Sequence, residues 1–222
     1  MMDVNDDDWK IVLSYHDAII RKSDYRILQT RQWINDSIIE FWYEYLTHHL
    51  YEEYSNEFLC LSPSLIQLIK MNDSMDEIRA ILQPLHMERR KLILIPLNDN
   101  MSLDYGGGTH WSLLVFIRDN DDKCHFEYYD SAAIEHPNQM MMKKIVKKFT
   151  KLLSLNDLDI QIEQCHKQED GYNCGIHLIC NSNAICRKYL HNDQRSIVDI
   201  IPYEQIESFR FRLIQIIDGL KS

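Results

Sequence analysis

The stretch that most constrains this 222-residue chain is Gln168-Glu-Asp-Gly-Tyr-Asn-Cys174-Gly175-Ile-His-Leu-Ile-Cys180. Gly171 and Asn173 are turn formers and an apolar helical pattern begins directly after them, so Cys174 falls where a loop becomes a helix. A thiol there feels the positive end of the helix dipole, which favours the thiolate, its reactive form. Gly175 puts no side chain between the sulfur and a flat substrate. Gln168 carries an amide N–H that can hold an oxyanion while Cys174 attacks a carbonyl.

A cysteine nucleophile needs a base, and the base needs a group to orient it. In Gly106-Gly-Gly-Thr-His110-Trp111-Ser-Leu-Leu-Val-Phe-Ile, His110 opens an apolar run with strand character; in Phe126-Glu-Tyr-Tyr-Asp130-Ser131, Asp130 closes the next. The polar turn Arg118–Lys123 between them suits a hairpin, which sets the start of one strand beside the end of its partner. His110 and Asp130 are therefore expected to be neighbours. Taken singly, a cysteine is usually a small buried hydrophobe and a strand-end Asp a turn former. The combination is far more specific than its parts.

These segments resemble the Ulp/SENP family of cysteine proteases, which act on ubiquitin-like modifiers, and most of all its deneddylase branch. Trp33-Ile-Asn-Asp36 is similar to the family's Trp-Leu-Asn-Asp segment. Ser14–Asp24, Ile95–Asn100 and Ile179–Cys186 resemble the deneddylase subgroup, and the likeness runs from about Leu13 to the last helix. The turn after Arg118 is longer than the family pattern, and Ser154–Cys165 has little motif to align. The resemblance implies a papain-like cysteine protease fold, with the helix that carries the nucleophile packed on a central, mostly antiparallel sheet. It implies a catalytic set of His110, Asp130, Cys174 and Gln168, and substrate binding by Trp33, Asp36 and Trp111. The two tryptophans would wall a tunnel for a Gly-Gly tail, and Asp36 would meet a basic side chain of the modifier. The implied substrate is the neddylation modifier, as precursor or conjugate. Alternatives are SUMO or ubiquitin as the modifier, an inactive binder of a ubiquitin-like protein, and an acyltransferase with a similar triad.

Bulk properties fit this reading. The length suits one domain with a sizeable core, here 13–222 after a loosely ordered tail over 1–12. A formal charge of −10 argues against a general nucleic-acid binder and suits a partner with a basic face. The acidic start, Met1–Asp8, lacks an apolar h-region, and no stretch reaches membrane-span length. The expectation is a cytoplasmic or nuclear monomer that is not secreted and does not engage a membrane. The six cysteines lie mostly in apolar stretches without a C-x-x-C pair, so neither a disulfide framework nor a structural zinc is expected, and the chemistry calls for no cofactor. His48-His49 and Cys165-His166 lack the second half of a metal site.

Along the chain, Ser14–Thr30 reads as a surface wrap. Asn35 or Asp36 caps a helix to Tyr54, with Trp33 as a hydrophobic staple. Helices follow at Ser62-Pro63 and at Ser74–Gln83, then a buried strand at Lys91–Leu97. The loop Asn98–Gly108 can close over a bound tail. A helix after Pro137 carries Met140, Met141, Ile145, Val146, Phe149, Leu152 and Leu153 inward and a lysine cluster outward. Leu158–Glu163 alternates as a strand, the Cys174 helix runs to Leu190, and a last helix follows Pro202. Helices first, then strands interleaved with helices, make an α+β domain.

Overall fold

The computed structural model describes residues 6–102, 107–120, 122–132, 137–156 and 159–221. The strands are β1 (Ile11–Tyr15), β2 (Ala18–Arg21), β3 (Phe58–Cys60), β4 (Leu92–Asn98), β5 (Trp111–Arg118), β6 (Cys124–Tyr129) and β7 (Ile160–Ile162). The helices are α1 (Lys22–Gln29), α2 (Asp36–Tyr45), α3 (Pro63–Met71), α4 (Met75–Leu82), α5 (Asn138–Leu152), α6 (Cys174–Leu190), α7 (Ile197–Ile200) and α8 (Tyr203–Leu220). β1 and β2 form a separate hairpin, and the other strands form one sheet in the order β3-β4-β5-β6-β7. Its three central strands are antiparallel, while β3 and β7 run parallel to their neighbours. The sheet is therefore mixed, with the antiparallel part at its centre.

β4 and β5 are apolar without alternation because both faces of the sheet are covered. Leu92, Leu94, Leu113, Val115 and Ile117 point into one core with residues of α2, α6 and α8. Ile93, Ile95, Leu97, Leu114 and Phe116 point into a second core with residues of α3, α4 and α5. The result is three layers with the sheet in the middle. α6 is the most enclosed helix: 13 of its 17 residues are buried, from Cys174 and Gly175 to Leu190. Its small Ser182 and Ala184 and its Ile179 carbonyl, which accepts from Trp42 Nε1 at 3.0 Å, let α2 lie close against it.

Several expectations need correction. From Asp6 onward the N-terminus is built into the fold: Asp6–Trp9 is a 3-10 turn and β1 starts at Ile11. The supposed wrap is the β1–β2 hairpin followed by α1, whose four- and five-residue strands are too short to show a clear period. The helix expected to reach Tyr54 changes pitch, from α2 to a π-helical Leu46–Leu50 and a 3-10 turn at Glu52–Tyr54. Its N-cap is Asn35, whose side chain accepts from Ile38 N. The buried residue just before that cap is Ile34, whereas Trp33 is half-exposed, so the staple position belongs to Ile34. On α5, Met140 is exposed and Met142 takes the inward place. Lys148, expected in water, donates from Nζ to the Ile69, Lys70 and Asn72 carbonyls at the end of α3. Leu158 lies outside the described residues, and β7 begins at Ile160.

Candidate active site

The β5–β6 register, Leu113 opposite Tyr129 and Arg118 opposite Cys124, brings the start of one strand to the end of the other. One residue before β5, His110 Nε2 lies 2.6 Å from Asp130 Oδ1, one residue past β6. Both side chains are buried. Asp130 is held on every side: Oδ1 also accepts from Ala132 N at 2.8 Å, and Oδ2 accepts from Tyr128 OH at 2.8 Å. Burial alone would raise its carboxyl, but the bond to His110 and these donors hold it below the usual range. The backbone on the His110 side is fixed as well. Asp99 accepts from Thr109 N at 2.6 Å, Thr109 Oγ1 at 2.6 Å and His110 N at 3.2 Å. The buried Asn138 donates to His110 O and to Ser112 Oγ.

Cys174 is the first residue of α6, on the other side of this pair. Burial would lower the His110 pKa; hydrogen bonds to Asp130 and to Cys174, with the charges behind them, overcome it and raise it to about 9. The ring is thus shared between carboxylate and thiol. Burial pushes up the thiols of Cys60, Cys124, Cys165, Cys180 and Cys186, as it does in inert cysteines.

The loop that delivers Cys174 is organised by Asp170, which accepts from Tyr172 N at 2.9 Å, Asn173 N at 2.8 Å and Asn173 Nδ2 at 2.7 Å. Gln168 lies on the same loop. Its backbone N–H donates to Ser131 O at 2.9 Å, its Oε1 accepts from Ser131 Oγ at 2.9 Å, and its Nε2 donates to Asp170 O at 2.7 Å. Ser131 therefore ties the loop to the end of β6, next to Asp130. Arg210 on α8 is a residue that local sequence reasoning missed. It donates to Asn173 Oδ1 at 2.8 Å and to the carbonyls of Ile27, Thr30, Gln32 and Tyr172, joining α1, the chain before Trp33 and the loop before Cys174. In sequence it is one basic residue on an amphipathic helix, and nothing near it marks a role.

A cleft of about 420 Å³ opens beside His110 and Cys174, lined among others by Trp33, Asp36, Asn98, Gly108 and Trp111. Trp33 Nε1 donates to Gly171 O at 2.5 Å and Trp111 Nε1 to Ile34 O at 3.1 Å, so each indole is tied to the backbone. Asp36 lines the cleft and reaches solvent, while the partial enclosure of its carboxylate there raises its pKa. Gln168 is not among the residues lining this cleft. Gly175 serves packing more than access: a Cβ there would lie 2.3 Å from Ile34 Cγ1 and 3.2 Å from Trp111 Cδ1. Gly108, at φ +98, leaves room for Asn98, whose Oδ1 would be 1.9 Å from an added Cβ. The Asn98–Gly108 loop is described up to Ser102 and again from Gly107. Its first part is tied to α3 by Lys70 Nζ, on the Asn98 and Asn100 carbonyls, and by Gln67 Nε2, on those of Asn100 and Ser102.

A thiol at a helix start, in one cleft with an imidazole that a buried carboxylate orients, on a helix packed against a mixed sheet, is the architecture of a papain-like cysteine peptidase. Residues 32–217 match the Ulp1 protease family, C-terminal catalytic domain. The chain is 33% identical over 193 residues to human sentrin-specific protease 8, covering 86% of this chain and 88% of that protein. It is 29% identical over 189 residues to NEDD8-specific protease 1 of Arabidopsis thaliana, covering 84% and 79%. It also superposes on the C-terminal Ulp1 protease domain solved in complex with Smt3, the yeast ortholog of SUMO, with a TM-score of 0.67 and 21% identity over 95% of this chain and 88% of that one. The chain belongs to the Ulp1 protease family and is a cysteine-type peptidase.

Proposed function

We propose that the chain cleaves after the C-terminal Gly-Gly of a ubiquitin-like protein, with NEDD8 the preferred modifier, both in precursors and in isopeptide conjugates. The observation that carries this is His110, 2.6 Å from the buried carboxylate of Asp130 and sharing with Cys174 a cleft flanked by two backbone-tied indoles. Two sentrin-type and NEDD8-specific relatives over most of the chain support the choice of modifier. In this reading His110 takes the thiol proton and later protonates the leaving amine, while Asp130 steadies the imidazolium. The sulfur adds to the glycine carbonyl, the amine departs, and water releases the acyl-enzyme. The backbone N–H of Cys174 and the amide of Gln168 hold the oxyanion. Gln168 Nε2 carries two hydrogens and spends one on Asp170 O, which leaves the second for this task. Trp33 and Trp111 form the walls between which only glycines are thin enough to pass, and Asp36 meets a basic side chain of the modifier. A monomer acting in the cytoplasm or nucleus fits this substrate.

The test is turnover of NEDD8, SUMO and ubiquitin, each carrying a C-terminal fluorogenic amide, by the wild type and by Cys174→Ala. NEDD8 alone should be cleaved, and Cys174→Ala should fall by on the order of 10⁴-fold or more while still binding NEDD8. Preferential cleavage of SUMO or ubiquitin would overturn the modifier, and Cys174-independent turnover would overturn the mechanism.

A further inference from the structure

His16 occupies the turn between β1 and β2, in the left-handed region at φ 48. Its ring stacks on that of His48, with centroids 3.7 Å apart and planes 14° from parallel. His48 sits in the π-helical continuation of α2, four residues after Glu44, and its Nε2 lies 3.3 Å from Glu44 Oε2. That oxygen is shielded from solvent and has no hydrogen-bond partner. One ligand atom from each of His16, Glu44 and His48 falls within 4.8 Å of the other two, and among the described residues no other group of three or more His, Cys, Asp and Glu meets that condition.

We propose that His16, Glu44 and His48 form a surface site for a borderline divalent transition metal, of which Zn²⁺ is the simplest probe. Two imidazoles and one carboxylate are a donor set suited to Zn²⁺, Ni²⁺ or Cu²⁺, and too poor in oxygen for Ca²⁺ or Mg²⁺. Three protein ligands would leave a fourth position to water. Metal–ligand distances are about 2.0–2.2 Å, so the donors must draw together and the rings must splay from their stack. The imidazoles lie on exposed side chains and reach that arrangement by side-chain rotation. The backbone beneath them is already in place: Tyr15 packs edge-on against Phe41 at 5.9 Å and lies 6.3 Å from Tyr45, holding the turn against α2. The local field also favours a cation. The Glu40 carboxyl is raised by its burial and then by Glu44, Asp36 and Asp17, so acidic groups crowd this face. Glu44 is eight residues beyond Asp36, about 12 Å along the helix, so the site is separate from the cleft. A bound ion would clip the N-terminal hairpin to α2.

Calorimetric titration of Zn²⁺ and the thermal midpoint with and without Zn²⁺ test this, in a Cys174→Ala background so that the thiol–imidazole pair of the cleft cannot take the metal. The expected result is one ion per chain and a raised midpoint. His16→Asn, which tolerates the left-handed turn, and His48→Gln should each weaken binding at least tenfold and abolish the shift. Glu44→Gln should weaken it without changing the fold. Absence of a one-to-one site in the parent, or binding unaltered in His16→Asn and His48→Gln, would overturn the proposal and leave the stacked rings as packing alone.

Discussion

The two halves of the candidate active site are held in different ways. His110 and Asp130 flank paired strands of the central sheet, and the backbone ladder sets their separation before any side chain contributes. Cys174 depends on a loop with no ladder of its own, held by the carboxylate of Asp170 and by a guanidinium from α8, 36 residues further along the chain. The sheet half has several redundant supports. The helix half rests on the short-range bonds of Asp170, the Gln168–Ser131 link and the long-range bonds of Arg210. A substitution on the sheet side should therefore change chemistry while sparing the fold, and one on the helix side should change both.

Asp130→Asn should show the largest effect and the cleaner separation. The strands keep the position of residue 130, but the charge that helps raise His110 is lost. Turnover should fall by about 10²–10⁴-fold with little loss of stability. The pH profile of kcat/KM is the sharper readout. Because the His110 pKa is raised to about 9, the imidazolium persists through neutral pH, and the alkaline limb of the wild type should lie near there. Removing the carboxylate lowers that pKa, so the limb should move down by on the order of one to two pH units. A limb that stays in place would mean that Asp130 does not set the charge state of His110.

Arg210→Ala breaks the helix half. It takes the guanidinium from the carbonyls of Thr30, Gln32 and Tyr172 and from Asn173 Oδ1, leaves Ile27 O to the bonds from Thr30, and removes a charge beside the Cys174 loop. The expected cost is about 3 kcal/mol of unfolding free energy, measured by denaturant titration, with a fall in kcat. Arg210→Lys should restore little, because a single ammonium cannot reproduce the fork. Normal stability together with normal turnover would show that Asp170 alone organises the loop.

This contrast also explains what could be read in the chain. His110, Asp130 and Cys174 were legible because each stands at the edge of a regular element, where local pattern is strongest. The continuous apolar runs of β4 and β5 gave the buried sheet for the same reason. Arg210, Asp99, Asn138 and Lys70 were not legible, since most of their partners are backbone atoms that carry no residue-specific signal, and all lie ten or more residues away in sequence. His16 was missed likewise: its place beside His48 comes from a hairpin too short to show a period. The packing role of Gly175 was not legible either, because Ile34 is brought to it only by the tertiary fold.

Gly175→Ala gives the smallest effect of this series and locates the boundary between the two halves. A methyl group there meets Ile34 Cγ1 at 2.3 Å and Trp111 Cδ1 at 3.2 Å, so the Ile34 side chain has to shift, and the Trp33–Ile34 segment is expected to move away from α6 with it. Overpacking of this kind costs about 1–3 kcal/mol. Its chemical consequence should fall on substrate placement, because Trp111 Nε1 bonds to the Ile34 carbonyl and that carbonyl moves with its residue. His110 is held by its bonds with Asp99, Asn138 and Asp130 and not through Ile34, so the imidazolium and its alkaline limb should stay where they are. The expected signature is a raised KM for a modifier with a Gly-Gly tail, an unchanged pH profile, and a modest drop in thermal midpoint. A shifted pH profile in Gly175→Ala would show that the indole wall and the catalytic pair are one mechanical unit, and the division between a sheet half and a helix half would have to be redrawn.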